Sequence, residues 1–163
     1  MSTQITNQDF RKAMGEFATG ICVMGAKLID GTLIGITVNS FSSVSLEPPL
    51  ILVCLGNYTP RTAAIIEAAR FSISVLNEHQ HAVSNHFAKP GEGEVPDDGW
   101  SIGKNGTPTI DDALANLECD LEATHLAGDH QIIIGRVTNV VIHPDRKPLI
   151  YFQSQYSSLG HEV

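Results

Sequence analysis

Six short polar side chains fall between residues 37 and 45: Thr37, Asn39, Ser40, Ser42, Ser43 and Ser45. An apolar, strand-like lead, Gly35-Ile36-Thr37-Val38, runs into them, and Glu47-Pro48-Pro49-Leu50 closes the stretch. Together they offer more donors and acceptors than a simple turn needs. Two readings stay open on local chemistry alone. One is a polar loop built on Asx- and Ser-turns. The other is a cradle for a planar ligand rich in hydrogen-bonding groups, held by backbone amides and short side chains between apolar walls.

The second chemically suggestive spot is Gly128-Asp129-His130. Glycine allows a sharp turn, aspartate can bond its own backbone, and the turn presents an imidazole at the start of the next strand. A plain turn with a surface histidine is the competing reading. Seven histidines invite a metal site, yet no cysteine stands near enough to complete a usual zinc set, and no HExxH occurs. No metal is therefore expected. A hydrolase triad lacks its GxSxG elbow. Neither GxGxxG after a strand nor GxxxxGK[ST] is present, so a nucleotide would be held by some other fold.

These residues need elements to position them. Thr6 and Asp9 mark a helix start, and Phe10, Ala13, Met14 and Phe17 give it one apolar face, with Gly20 closing it. Residues 21–28 read as a buried strand, Asp30-Gly31 as a hairpin turn, and 32–38 as the return strand. Residues 50–55 look like a fully buried strand. Thr59-Pro60 has the pattern of an N-cap followed by proline at the first helical position, opening a short helix. Residues 71–76 alternate as a half-exposed strand, and 78–87 form another short helix. Residues 89–106, with the single Trp100, read as a long loop, followed by one or two helical turns at 108–115. Residues 117–126 and 131–143 are long strands around Gly128, with Gly135 marking a bulge or a close approach. A final strand at 149–152 precedes a polar tail.

This is a mainly β chain with short helices. The long strands favour a barrel over a sandwich, because closure removes exposed edges. The hairpin signals favour antiparallel pairing of six or seven strands. At 163 residues and 42% hydrophobic content, a single domain covering 1–163 is expected, with its core about 10–156. Net charge is −8 with no basic stripe, which argues against nucleic acid and anionic membrane as partners. Cys22, Cys54 and Cys119 read as reduced core thiols. No signal peptide or membrane-length apolar run is visible, and a cytoplasmic protein is expected.

The chain resembles the short-chain flavin reductase family, the small reductase components of two-component flavin monooxygenases. The resemblance rests on Phe10-Arg11-Lys12-Ala13-Met14-Gly15-Glu16-Phe17-Ala18-Thr19-Gly20 and the 37–50 stretch. Leu117-Glu118-Cys119, Ala127-Gly128-Asp129-His130 and Pro148-Leu149-Ile150-Tyr151-Phe152 follow in family order. The likeness implies an FMN-binding split barrel, a homodimer, FMN or FAD as cofactor, NADH or NADPH as hydride donor, and a flavin-dependent monooxygenase as partner. Carried over position by position, Thr37, Val38, Asn39, Ser40, Phe41, Ser43, Val44 and Ser45 would hold the flavin ring and ribityl chain. Cys54 and Leu55 would lie along the flavin; Asn57, Thr59 and Arg61 would meet phosphate. His86, Phe87 and Ala88 would border the cofactor, Tyr156 would close the pocket, and His130 would bind and orient the nicotinamide. Many relatives carry lysine where this chain has Asn57, and Arg61 is the nearby cation that could replace it.

The chemistry suits these residues. Cofactors perform hydride transfer, so the protein must hold two flat rings in register and needs no strong acid or base. A bound-flavin electron-transfer protein or reductase of another acceptor, and a non-catalytic flavin-binding module, are the alternatives.

Overall fold

The computed structural model describes residues 5–57, 59–89 and 93–160. Parts of two expectations, the loop at 90–92 and the tail at 161–163, lie outside the described residues, as does the N-terminal stretch 1–4. In chain order the elements are α1 (Asn7–Gly15), β1 (Thr19–Gly20), β2 (Cys22–Lys27), β3 (Leu33–Val38), β4 (Ser42–Leu46) and β5 (Pro49–Gly56). Then come α2 (Pro60–Ala68), β6 (Arg70–Val75), α3 (His81–Ala88), β7 (Trp100–Ile102), β8 (Pro108–Ile110), β9 (Ala115–Ala127), β10 (His130–Ile142), β11 (Ile150–Phe152) and β12 (Gln155–Ser157).

Seven strands form one antiparallel sheet in the order β3-β2-β6-β9-β10-β5-β4. The sheet curls until β3 meets β5, although no ladder joins the two. That open seam makes the barrel split. The expected β2–β3 hairpin forms at Asp30-Gly31, where Gly31 has φ +90° and the Asp30 carboxylate accepts the Thr32 N–H at 2.9 Å. Gly135 sits at a register shift between β10 and β9, as expected. A Cβ there would lie 2.3 Å from the Phe71 ring, so the backbone must be bare for the ring to pack.

The core has two parts. Inside the barrel, Met24, Val53, Phe71, Ile73 and Ile133 pack together. On the other side of β2 and β6, Ile21, Val23, Leu76, Phe87, Ile110 and Leu149 form a second cluster. Cys22 and Cys119 are buried, and burial pushes both thiols up to about 12. All three cysteines are free, with Cys54 half-buried.

Several expectations are corrected. α1 starts at the predicted cap, with the Thr6 side chain accepting the Asp9 N–H, but it ends at Gly15 instead of Gly20. The Gly15 carbonyl is taken by the N–H of Gln153 at 3.0 Å, so a contact with the C-terminal segment replaces the next helical turn. The apolar face of α1 is not buried: Phe10 and Met14 are 60% and 51% exposed, and Phe17, beyond the helix end, is 68% exposed. β5 is buried on one face only, because one flank looks away from the barrel interior. β6, expected to be half-exposed, is buried on both faces because it lies mid-sheet with a core cluster on each side. Residues 108–110 are strand, not helix. Buried Ser72 donates to the Pro108 carbonyl, and buried Ser74 accepts the Ile110 N–H at 2.9 Å, which holds this segment extended.

α3 starts at His81, later than expected, because the Asn77 side chain bonds the Asp112 carbonyl and the His79 N–H and keeps the preceding residues in a turn. The long loop contains β7, paired with β8. The polar tail begins with β12, paired with β11. No described helix is long and apolar enough to cross a membrane.

Candidate functional site

A cavity of about 610 Å³ opens at the seam of the barrel. β3 supplies Ile36 and Thr37, and β5 supplies Leu55 and Gly56. The first turn of α2 contributes residues 59–62, and the end of α3 contributes Phe87, Ala88 and Lys89. The local sequence explains each wall. Thr59 caps α2 by accepting the Thr62 N–H at 3.3 Å, and Pro60 stands at the first helical position as predicted. The Thr62 hydroxyl donates to the Gly56 carbonyl at 2.7 Å and locks the helix start onto the end of β5. Gly35 lets the buried Phe87 ring lie directly on β3: a Cβ there would be 2.6 Å from two ring carbons.

Arg61 crosses the seam. Its guanidinium packs on Gly93, where a Cβ would be 2.5 Å from Cζ. Gly93 belongs to a short segment added to the edge of β3, with the Gly35 N–H donating to the Gly93 carbonyl at 2.7 Å. Arg61 and Lys89 together place positive charge at this end of the cavity, beside the N-terminus of α2, whose dipole also favours an anion. Among the described residues no carboxylate pairs with Arg61.

The 37–45 stretch divides its work. The Thr37 hydroxyl donates to the Ser84 carbonyl at 2.7 Å, which ties β3 to α3. The Ser40 hydroxyl donates to the Cys54 carbonyl and accepts the Cys54 N–H, both at 3.0 Å. It thereby acts as one rung of ladder between the loop and β5. Val38 is buried and Phe41 half-buried, both against the barrel core. Residues 42–46 are not a loop but the edge strand β4, with a bulge between Ser43 and Ser45. Ser43 and Val44 are exposed and Ser45 half-buried. Asn39 lines a separate hollow of about 200 Å³ under α1, with Phe10, Arg11 and Met14.

The expected site residues are therefore only partly brought together. Thr37, Leu55, Thr59, Arg61, Phe87 and Ala88 share the seam cavity. Cys54 does not line it, because neighbours along a strand point to opposite faces and Leu55 takes the inner one. His86 turns the other way on α3, with Nε2 3.1 Å from the Glu94 carbonyl and its ring edge-on to Phe87. His130 faces Gly56 in the β10–β5 ladder, at the cavity's end. Its Nδ1 lies 2.7 Å from the Asp129 carboxylate, and that bond and the imidazole's charge hold the Asp129 carboxyl below its usual range. The exposed Asn57 is tied to the same turn, its N–H donating to the Asp129 carbonyl at 3.0 Å. Tyr156 stands behind α3, bonded to Ser84 and Asn85.

Ile36, Gly56, Pro60, Thr62 and Lys89 line the cavity without having been singled out in the sequence. Thr62 had a legible signal, three residues after its cap on the inner side of α2. Lys89 had only its charge.

A split antiparallel barrel whose seam cavity joins apolar walls to a cationic end has the shape and charge to take a flat, anionic organic ligand. The chain belongs to the flavin reductase like domain family, whose model matches residues 14–160. It is 48% identical over 128 residues to "Probable flavin reductase" of Rhizobium meliloti, covering 78% of this chain and 41% of that relative's length. It is 42% identical over 145 residues to "FMN reductase (NADH) SmoA" of Agrobacterium fabrum, covering 89% of this chain and 82% of that one. Among solved structures, the styrene monooxygenase flavin reductase of Pseudomonas putida superposes with a TM-score of 0.86 at 36% identity, covering 97% of this chain and all of the other.

Proposed function

We propose that this chain is an NAD(P)H-dependent flavin reductase that takes up FMN or FAD and delivers the reduced flavin to a separate flavin-dependent monooxygenase. The seam cavity is the observation that carries this reading. Ile36, Leu55 and Phe87 offer apolar surface for a flat ring system, while Arg61, Lys89 and the start of α2 offer positive potential for a phosphate. A flavin bound there would supply the two-electron acceptor for a nicotinamide hydride. The protein's own part is to hold and orient. Arg61 draws the anionic end across the seam, Phe87 backs the ring, and His130 beside Gly56 offers an imidazole to the nicotinamide substrate. No described residue is needed as a strong acid or base. The relatives named for monooxygenase systems support the partner.

The protein works as a homodimer in this reading. Phe10 and Met14 on α1, Phe17 just after it, Leu46 on β4 and Val140 to Ile142 on β10 are exposed apolar surface of the kind that a second copy covers. Three cysteines without a disulfide suit a reducing, cytoplasmic setting. The deciding assay follows NADH and NADPH oxidation with and without excess free flavin. Fast turnover that requires added flavin supports the reductase. Turnover with bound flavin and another acceptor alone, or no turnover, overturns it.

A further inference from the structure

The C-terminal hairpin reaches the end of α1 with one part and the middle of α3 with the other. Its turn residues, Gln153 and Ser154, have φ of +48° and +63°, a left-handed pair that glycine or asparagine adopts more readily. The turn is held from outside. The Gln153 N–H donates to the Gly15 carbonyl at 3.0 Å, and its side-chain amide donates to the Glu16 carboxylate at 2.9 Å, both at the end of α1. On the other arm, the Tyr156 hydroxyl donates its one proton to the Asn85 side-chain carbonyl at 2.8 Å. The Ser84 hydroxyl, 2.9 Å away, must then donate to Tyr156. Ser84 is fully buried, and its own carbonyl accepts the Thr37 hydroxyl. One line of hydrogen bonds therefore runs from β12 through the middle of α3 to the cavity wall on β3. Tyr156 itself lies outside that cavity, beside Tyr151 and His81.

We propose that Tyr156 is a positioning residue: through Ser84 it sets where α3 stands against β3, and with it the Phe87–Lys89 wall of the flavin cavity. This rests on the reading of that cavity as a flavin site. It differs from a direct contact that closes the pocket, because every polar bond of the phenol goes to α3. The test uses the full-length protein with Tyr156→Phe, which keeps the ring and removes only the hydroxyl, then Ser84→Ala and the double variant. Four readouts are taken: flavin affinity, the visible spectrum of bound flavin, steady-state KM and kcat for flavin, and amide hydrogen exchange in α3 compared with α2.

Each single variant should raise the flavin Kd about 3- to 10-fold, the scale of losing one or two neutral hydrogen bonds. The double variant should be little worse than Tyr156→Phe alone, because that change already removes the Ser84 bond together with the Asn85 bond. Exchange should speed up in α3 and stay unchanged in α2, the flavin absorption maximum should not move, and KM for flavin should rise while kcat stays within about twofold. Wild-type exchange in α3 with Tyr156→Phe, or a shifted flavin absorption band, overturns the proposal. If the wild-type protein binds no flavin, the functional reading fails instead, and the exchange comparison alone still decides whether Tyr156 positions α3.

Discussion

Replacing Gly35 with alanine perturbs the fold and the site through a single methyl group. The new Cβ would lie 2.6 Å from Cδ1 and Cε1 of Phe87 and 3.2 Å from Cγ. The ring cannot step aside cheaply, because it is 2% exposed and packed with Ile21, Val23, Leu76 and Ile110. Overpacking of this kind costs about 1–3 kcal/mol. Alanine regains roughly 0.5–1 kcal/mol over glycine within a strand, which leaves a net loss of about 1–2 kcal/mol. For a chain of this size that lowers Tm by about 2–8 °C. Phe87 is also a wall of the cavity, so the shift should weaken flavin binding several-fold, beyond any effect on global stability. Urea denaturation and flavin titration measure the two quantities separately. Phe87→Leu in the same background makes room for the methyl group and should recover part of the stability. A Gly35→Ala protein as stable as wild type would refute the seating of Phe87 on β3. A destabilised variant with unchanged flavin affinity would remove Phe87 from the site.

Three other perturbations probe separate parts. Arg61→Ala should weaken flavin affinity about tenfold, the scale of a bond to a charged partner, and the loss should shrink at high salt; titrations at two ionic strengths check both. His130→Ala should raise KM for the nicotinamide substrate more than it lowers kcat, costing about 1–3 kcal/mol in kcat/KM; a variant that keeps its KM but loses flavin would instead make His130 a cofactor ligand. Glu118 is buried, and burial alone would raise its pKa. The Asn105 N–H at 2.5 Å, the Asn139 amide at 2.7 Å and nearby Lys104 outweigh that and hold the carboxyl below its usual range. A carboxylate with a depressed folded pKa stabilises fully above its unfolded value of about 4.3, and the stabilisation fades as pH falls through the folded value. Glu118→Gln should therefore be less stable than wild type by about 1–3 kcal/mol at pH 7, with the gap closing below about pH 4 in parallel denaturation curves.

The strands of the barrel other than β4 were legible because apolar runs, Asp30-Gly31, Gly128 and Gly135 encode them locally, whereas the serine-rich β4 (Ser42–Leu46) reads as a polar loop. The start of α2 was legible for the same reason, since Thr59 and Pro60 carry a cap and a fixed φ in their own chemistry. The misreadings share a cause. Residues 108–110 became strand because serines more than thirty positions earlier hold them, and α1 stopped early because Gln153 takes its last carbonyl. The candidate site was legible by residue type more than by role. Thr37 and Ser40 were chosen for their hydroxyls, yet both spend them on the protein's own backbone. Side-chain donors near a strand end can satisfy the protein or a ligand, and only the location of the nearest carbonyl decides which.

That division also explains why the candidate site lies at the seam. Everywhere else in the sheet, ladder partners occupy the backbone groups of adjacent strands, and nothing flat can enter between them. Between β3 and β5 the ladder is missing, and the protein closes the gap with side chains and added segments. Ser40 substitutes for one rung, residues 93–95 pair along the edge of β3, and Arg61 reaches from α2 to Gly93. These substitutes leave a slot of about 610 Å³, which continuous strand pairing would have filled. The same opening that costs the barrel its closure gives it apolar walls from two strands and a cationic end from two helices. Filling the slot with a bulky side chain at Ile36, as in Ile36→Trp, should therefore abolish flavin binding while leaving the far ladder of β6, β9 and β10 as protected from hydrogen exchange as in wild type.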